Sequence, residues 1–288
     1  MERIPVLVIV GPTASGRTSL SIRLAKERGG EIISADSRQV YKGLDIGTGK
    51  VTKREMQGVR HHLLDVCSPK KVFTAHEFVQ LGRKAIADIH TRGKLPIICG
   101  GTGFYIDALI GRIDLAHTER DEKLREMLSG KSAPELFSML TRKDPVRAAQ
   151  MDTPSERNNK VRLIRALEIA ASRQLSTPDG PAPNLRYSVK LAYEVEWVYV
   201  DRPDEELKQR IHDRLSARMR GGMVAEVRRL HEKGLSWKRM EALGLEYRYL
   251  SRYLRGLLSK DEMLMQLERE IWHYAKRQRT WWRTLRAA

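Results

Sequence analysis

The chain has 288 residues, 41% of them hydrophobic and 6% aromatic, enough to bury a sizeable core and too apolar for a disordered tract. No apolar run approaches the roughly 18 residues that cross a bilayer, "MERIPVLVIV" is too short for an export leader, and Cys67 and Cys99 are too few for a disulfide framework or a four-ligand zinc site, so a reduced cytoplasmic protein is expected. The formal charge is +17, with 18 basic against 10 acidic residues in 1–112 and 21 against 13 in 201–288, an excess that points to a polyanion such as nucleic acid.

In chain order, "VLVIV" reads as a buried strand leading into the glycine loop "GPTASGRT", residues 11–18, and a helix. "EIISA" before Asp36, "LPIICGGTG" and "VEWVYV" before Asp201 repeat the strand-then-turn pattern. Alternation of this kind predicts an α/β fold, a P-loop NTPase-like parallel sheet flanked by helices, with ligands at the carboxyl ends of its strands. Between 113 and 190 no strand pattern occurs, and "DEKLREMLSG", "APELFSMLTRKD" and "NNKVRLIRALEIAASRQL" read as amphipathic helices of an insertion, which "STPDGPAPN" closes as a loop. The expected division is therefore a core of 1–112 with 191–288, and a helical insertion of 113–190. "PDEELKQRIHDRLSARMRGG" has start and stop signals of a complete helix, with Arg210, Arg214 and Arg218 on one face. In the last helix Leu264, Leu267, Ile271, Gln278, Trp281 and Leu285 form the stripe expected to meet the core.

The chemistry concentrates at the strand ends. In the loop, Gly11, Pro12, Thr13, Ala14, Ser15, Gly16, Arg17 and Thr18 fit the pattern G-x-x-x-x-G-K-[ST] except that Arg17 replaces the lysine. Main-chain N–H groups would surround a diphosphate or triphosphate, and the Thr18 hydroxyl would meet Mg²⁺. Arginine keeps the charge and grips phosphate bidentately, but is longer and planar. Asp36 has three readings: a general base, a Mg²⁺ ligand, or a turn aspartate. Thr102, in "GGTG", falls at the same crevice. The adjacent His61 and His62 lack an evident third metal ligand and read as structural, and of Trp281 and Trp282 at least one is expected in the core.

In this order "GPTASGRT", "ISADSRQVYKGLDIGTGK", "HHLLDV", "GKLPIICGGTGFYIDAL", "RLIRALEI", "ALGLEYRYL" and "AKRQRTWWR" resemble the successive motifs of bacterial tRNA dimethylallyltransferases, from Gly11 to Arg283. The resemblance implies transfer of a dimethylallyl group from dimethylallyl diphosphate to N6 of the adenosine 3′ of the anticodon, and an insertion that grips the anticodon arm. It implies Asp36 as the base, Thr102 as a group positioning the reacting centre, and Arg17, Thr18 and Arg214 holding diphosphate with Mg²⁺. On the RNA side it implies Ser37, Arg38, Gln39 and Val40 with Lys276, Arg277 and Gln278. Lys160, Arg162 and Arg165 in the insertion read either as phosphate contacts or as a solvated helix face. A monomer is expected. Two other readings remain open at this point: a P-loop kinase using ATP on a small molecule or nucleotide, and a tRNA-binding protein in which Arg17 impairs catalysis.

Overall fold

The computed structural model describes residues 3–113, 115, 121–151, 153–174 and 193–286. The chain falls into two compact units, 1–113 with 189–288, and 114–188. The loop expected at 176–184 lies outside the described residues.

The larger unit is built on five parallel strands: β1 (Pro5–Val10), β2 (Gly30–Ala35), β3 (His61–His62), β4 (Leu95–Gly100) and β5 (Glu194–Tyr199), in the order β3-β2-β4-β1-β5. Four are the strands legible in the sequence; β3 spans two residues, too short to show a period. Leu7, Ile9, Ile32 and Ile97 on one face pack against Ile22 and Ala25 of helix α1 (Arg17–Glu27). Strand residues alternate in direction, and Val8, Ile33 and Ile98 are also fully buried, so both faces of the sheet are covered.

After β2 come α2 (Lys53–Met56), then α3 (Ala75–Thr91), which starts at a Thr74/Glu77 capping box, and α4 (Gly103–Ile110), which leaves the end of β4. The rings of Phe78 on α3 and Tyr105 on α4 stack with centroids 4.4 Å apart.

The smaller unit contains α5 (Glu122–Ser129), α6 (Ala133–Lys143), α7 (Pro145–Ala149), α8 (Pro154–Arg157) and α9 (Lys160–Gln174); α5, α6 and α9 fall in the three segments read as helices, and the short α7 and α8 lie outside those segments. Leu128, Leu136, Leu140, Leu163 and Leu167 form its core. Beside them, buried Glu168 accepts from Arg125 Nε at 2.6 Å, from Arg125 Nη2 at 2.7 Å and from the Asp121 N–H at 3.1 Å.

Beyond β5 the larger unit continues with α10 (Asp204–Arg220), α11 (Met223–Glu232), α12 (Trp237–Ala242), α13 (Leu245–Leu254), α14 (Lys260–Trp281) and α15 (Arg283–Arg286). Of the stripe expected from Leu264 to Leu285, Leu267, Ile271 and Gln278 are buried, joined by Met263, Ala275 and Trp282, whereas Leu264 and Leu285 are half-buried and Trp281 faces outward. The helix ends at Trp281, and the chain turns Trp282 inward, 5.7 Å from Trp197 of β5, while Trp281 remains 42% exposed. Among the described residues no helix is long and apolar enough to cross a membrane.

Candidate functional site

Three chain segments meet at the carboxyl ends of β1, β2 and β4. The loop after β1 turns into α1 through Gly16 at φ 102°, a left-handed conformation that glycine adopts without strain. No side chain caps the first turn of α1 and no acidic residue occupies it, so the positive end of the helix faces an open recess. Residues 14–18 line that recess with Gly49, Val51, Arg210 and Arg214, around about 640 Å³. The Ser15 hydroxyl is buried without a partner among the described residues.

Arg17 does not extend over the loop as a free cation: its Nη1 donates to the Gly100 carbonyl at the end of β4. The three arginines of α10 take separate paths. Arg210 pairs with Glu206 at 2.9 Å, and Arg218 donates to the Gly47 carbonyl at 2.8 Å and to Glu246 at 3.0 Å. Arg214 has no hydrogen-bond or ion-pair partner among the described residues, lines the recess and is open to water. Crowding by protein atoms and the charges of Arg218 and Arg17 push its pKa below the usual guanidinium value. A cation held this way gains from an anion more than one already paired.

Across the crevice, Asp36 Oδ1 accepts the N–H groups of Arg38 at 2.8 Å and Gln39 at 3.3 Å, as in a turn aspartate. That geometry leaves Oδ2 without a partner among the described residues. Thr102 begins α4, and its Oγ1 accepts the Ser37 N–H at 3.1 Å, so Asp36 and Thr102 are tied together. The Gln39 side chain is engaged by the Ser34 hydroxyl at 3.3 Å and by the Gly49 carbonyl at 3.4 Å.

The structure takes two of the residues expected on the RNA side, Val40 and Gln278, into the interior and leaves others at the surface. Val40 is fully buried and its carbonyl accepts the Cys67 N–H, so its side chain has no face for RNA. Gln278 is 4% exposed and bridges the Thr13 N–H at 2.7 Å and the Gly101 carbonyl at 2.9 Å, an internal role. Arg165 pairs with the buried Glu168 at 3.3 Å. Lys160 donates to the Ser129 carbonyl at 2.9 Å and Arg162 pairs with Glu156 at 3.2 Å, both at the surface of the smaller unit. Lys276 and Arg277 are exposed on α14, over the rings of Trp272 and Tyr274. His61 Nδ1 sits 2.9 Å from the Val59 carbonyl and His62 Nε2 2.8 Å from Glu31, contacts within the fold. Cys67 and Cys99 are free thiols.

Two residues of the site have no mark in the sequence. Glu226 of α11, only 4% exposed, accepts the N–H groups of Asp45, Ile46 and Gly47 at 3.0, 2.7 and 3.0 Å and the Tyr247 hydroxyl at 2.8 Å, holding the loop that carries Gly49 against Arg214. Tyr274 of α14 faces the site: burial pushes its phenol up to about 12, and Asp36 adds to the shift while Arg17 and Arg38 oppose it. A lone Glu on an amphipathic helix and a Tyr beside a buried stripe are too common to single out.

The family model described as IPP transferase matches residues 39–285. A tRNA dimethylallyltransferase 2 of Citrifermentans bemidjiense is 43% identical over 99% of this chain and 88% of its own length. One from Treponema denticola is 42% identical over 97% and 91%. Among solved structures, the tRNA isopentenylpyrophosphate transferase of Bacillus halodurans matches with TM-score 0.69 at 34% identity, over 98% of this chain and 87% of that one. A eukaryotic dimethylallyltransferase captured acting on tRNA matches with TM-score 0.79 at 27% identity, over 97% and 70%. With the family model spanning most of its length and relatives above 40% identity from end to end, the chain belongs to the IPP transferase family, that of the tRNA dimethylallyltransferases.

Proposed function

We propose that the protein transfers a dimethylallyl group from dimethylallyl diphosphate to N6 of the adenosine 3′ of the tRNA anticodon and releases diphosphate. The observation that carries this reading is the placement of Asp36 beside Thr102, joined through the Ser37 N–H, across the crevice from a phosphate loop whose facing cation, Arg214, lacks an anion among the described residues. An exocyclic amine is a weak nucleophile, its lone pair delocalised into the ring, so a carboxylate that takes its proton as the new carbon–nitrogen bond forms lowers the barrier. Asp36 Oδ2 is the free acceptor for that proton. Because Thr102 Oγ1 accepts from Ser37, its own hydroxyl hydrogen is left to donate into the reacting centre.

Breaking the carbon–oxygen bond puts charge on diphosphate, which the N–H groups of residues 14 and 16–18 with Arg214 stabilise. Arg17, anchored on Gly100, holds its charge at the base of the same crevice. The Thr18 hydroxyl, exposed at the recess and without a partner among the described residues, fits Mg²⁺; the ion would supply further positive charge to the diphosphate oxygens. The target base must leave its stack, and phosphate contacts by exposed cations such as Lys276 and Arg277 offset that cost.

The kinase reading is not favoured, since the relatives matched from end to end are named for dimethylallyl transfer. The two activities separate by product. With Mg²⁺ and dimethylallyl diphosphate, diphosphate should appear only when tRNA is added, and ATP should give no phosphorylated product. Phosphoryl transfer from ATP, or tight tRNA binding with no diphosphate released, would overturn the proposal.

A further inference from the structure

The last turns of α14 reach both halves of the crevice. Both ends of the Gln278 amide are engaged, Oε1 on the Thr13 N–H of the phosphate loop and Nε2 on the Gly101 carbonyl of the turn before Thr102. Among the described residues the other hydrogen bond that links the loop region to this turn comes from Arg17. One turn further along, Trp281 donates Nε1 to Asp107 of α4 at 2.8 Å and lies against Gly103. A Cβ on Gly101 would stand 2.2 Å from Gln278 Nε2, and one on Gly103 2.4 Å from the Trp281 ring. These two glycines are bare where α14 presses on the turn, and Thr102 sits between the two points of pressure.

We propose that Gln278 is a positioning residue for the transfer reaction: its carboxamide sets the spacing between the diphosphate loop and Thr102, keeping the leaving group in line with the amine held at Asp36. The proposal rests on the function given above. A carboxamide suits the task because it presents an acceptor and a donor side by side, whereas a carboxylate only accepts and an ammonium only donates, so either could serve just one of Thr13 N–H and Gly101 C=O. Gln278 touches neither substrate; it acts through the two segments that do.

The test compares the wild-type protein with Gln278→Ala and Gln278→Glu. It measures kcat and KM for dimethylallyl diphosphate at saturating tRNA, the Kd for tRNA, and the melting temperature. Gln278→Glu keeps the volume and the acceptor for Thr13, so a folded variant is available even if the alanine variant unfolds. In both variants kcat/KM for dimethylallyl diphosphate should fall by about 10- to 100-fold, the scale of a small misalignment of reacting groups, with the Kd for tRNA unchanged. Gln278→Glu should recover part of its loss relative to the wild type as pH falls, since the protonated acid restores a donor to Gly101. Unchanged kcat and KM in the folded variants, with only a lower melting temperature, would reduce Gln278 to packing and overturn the proposal. A weaker Kd for tRNA with intact dimethylallyl diphosphate kinetics would overturn it in favour of an RNA contact. No product from the wild type would instead contradict the function itself, and the proposal with it.

Discussion

Asp36 combines two jobs in one carboxylate. Oδ1 builds the turn by accepting two amides, and Oδ2, without a partner among the described residues, is the atom that the proposed reaction uses as base. Asp36→Asn keeps an oxygen for those amides, so the fold should survive while kcat falls by about 10²- to 10⁴-fold, the worth of a general base; near-normal turnover in the folded variant would remove Asp36 from that role. Arg17 stands where the motif expects lysine, and its bond to Gly100 gives the longer side chain a fixed seat. Arg17→Ala should raise KM for dimethylallyl diphosphate, and an unchanged KM and kcat would show that its charge serves structure alone. Asp36 and Thr102 were legible because polar residues that end buried strands of a parallel sheet fall at the ligand crevice. For Gln278 the period of the last helix and the family resemblance give two expectations, a core-facing stripe and the RNA side; the helical period points inward, and what it could not show is that the inward side chain meets Thr13 and Gly101.

At the level of elements, buried carboxylates pin loops. Glu226 satisfies three successive amides of the 45–47 segment, and Glu226→Ala would leave them unpaired at a cost of about 3 kcal/mol or more. A clear drop in melting temperature is expected, along with weaker diphosphate binding, because Gly49 of that loop abuts Arg214. Glu31 works similarly at the amino end of the sheet. Burial resists its ionisation, but bonds from Arg92, Lys94 and His62 outweigh this and hold its carboxyl well below the usual carboxylate range. The stability it contributes is therefore present above the ordinary carboxylate pKa and is lost as pH falls below it. Denaturant titrations across acid pH should show a shallower loss for Glu31→Gln than for the wild type. Helix α10 was readable from its end signals and α14 from its period, whereas β3 and the inward turn of Trp282 depend on tertiary partners.

For the whole molecule, the strand–turn–helix alternation was enough to read a parallel sheet, because strands buried on both faces leave near-continuous apolar runs. Strand order was not legible, since it depends on which edges meet rather than on any local pattern. The charge of +17 belongs at this scale too. If tRNA is held largely through its phosphates, its Kd should weaken by about tenfold or more between roughly 0.05 and 0.2 M salt; a Kd insensitive to salt would contradict that picture.

The central claim is that this crevice prenylates an adenosine, and the mass of the nucleosides tests it most directly. The protein, Mg²⁺ and dimethylallyl diphosphate are incubated with unmodified tRNA, which is then digested to nucleosides and weighed. The account predicts an adenosine heavier by one dimethylallyl group, mapped next to the anticodon, and its loss with Asp36→Asn. Unmodified adenosine from the active-folded wild type, or the same yield from Asp36→Asn, would contradict it.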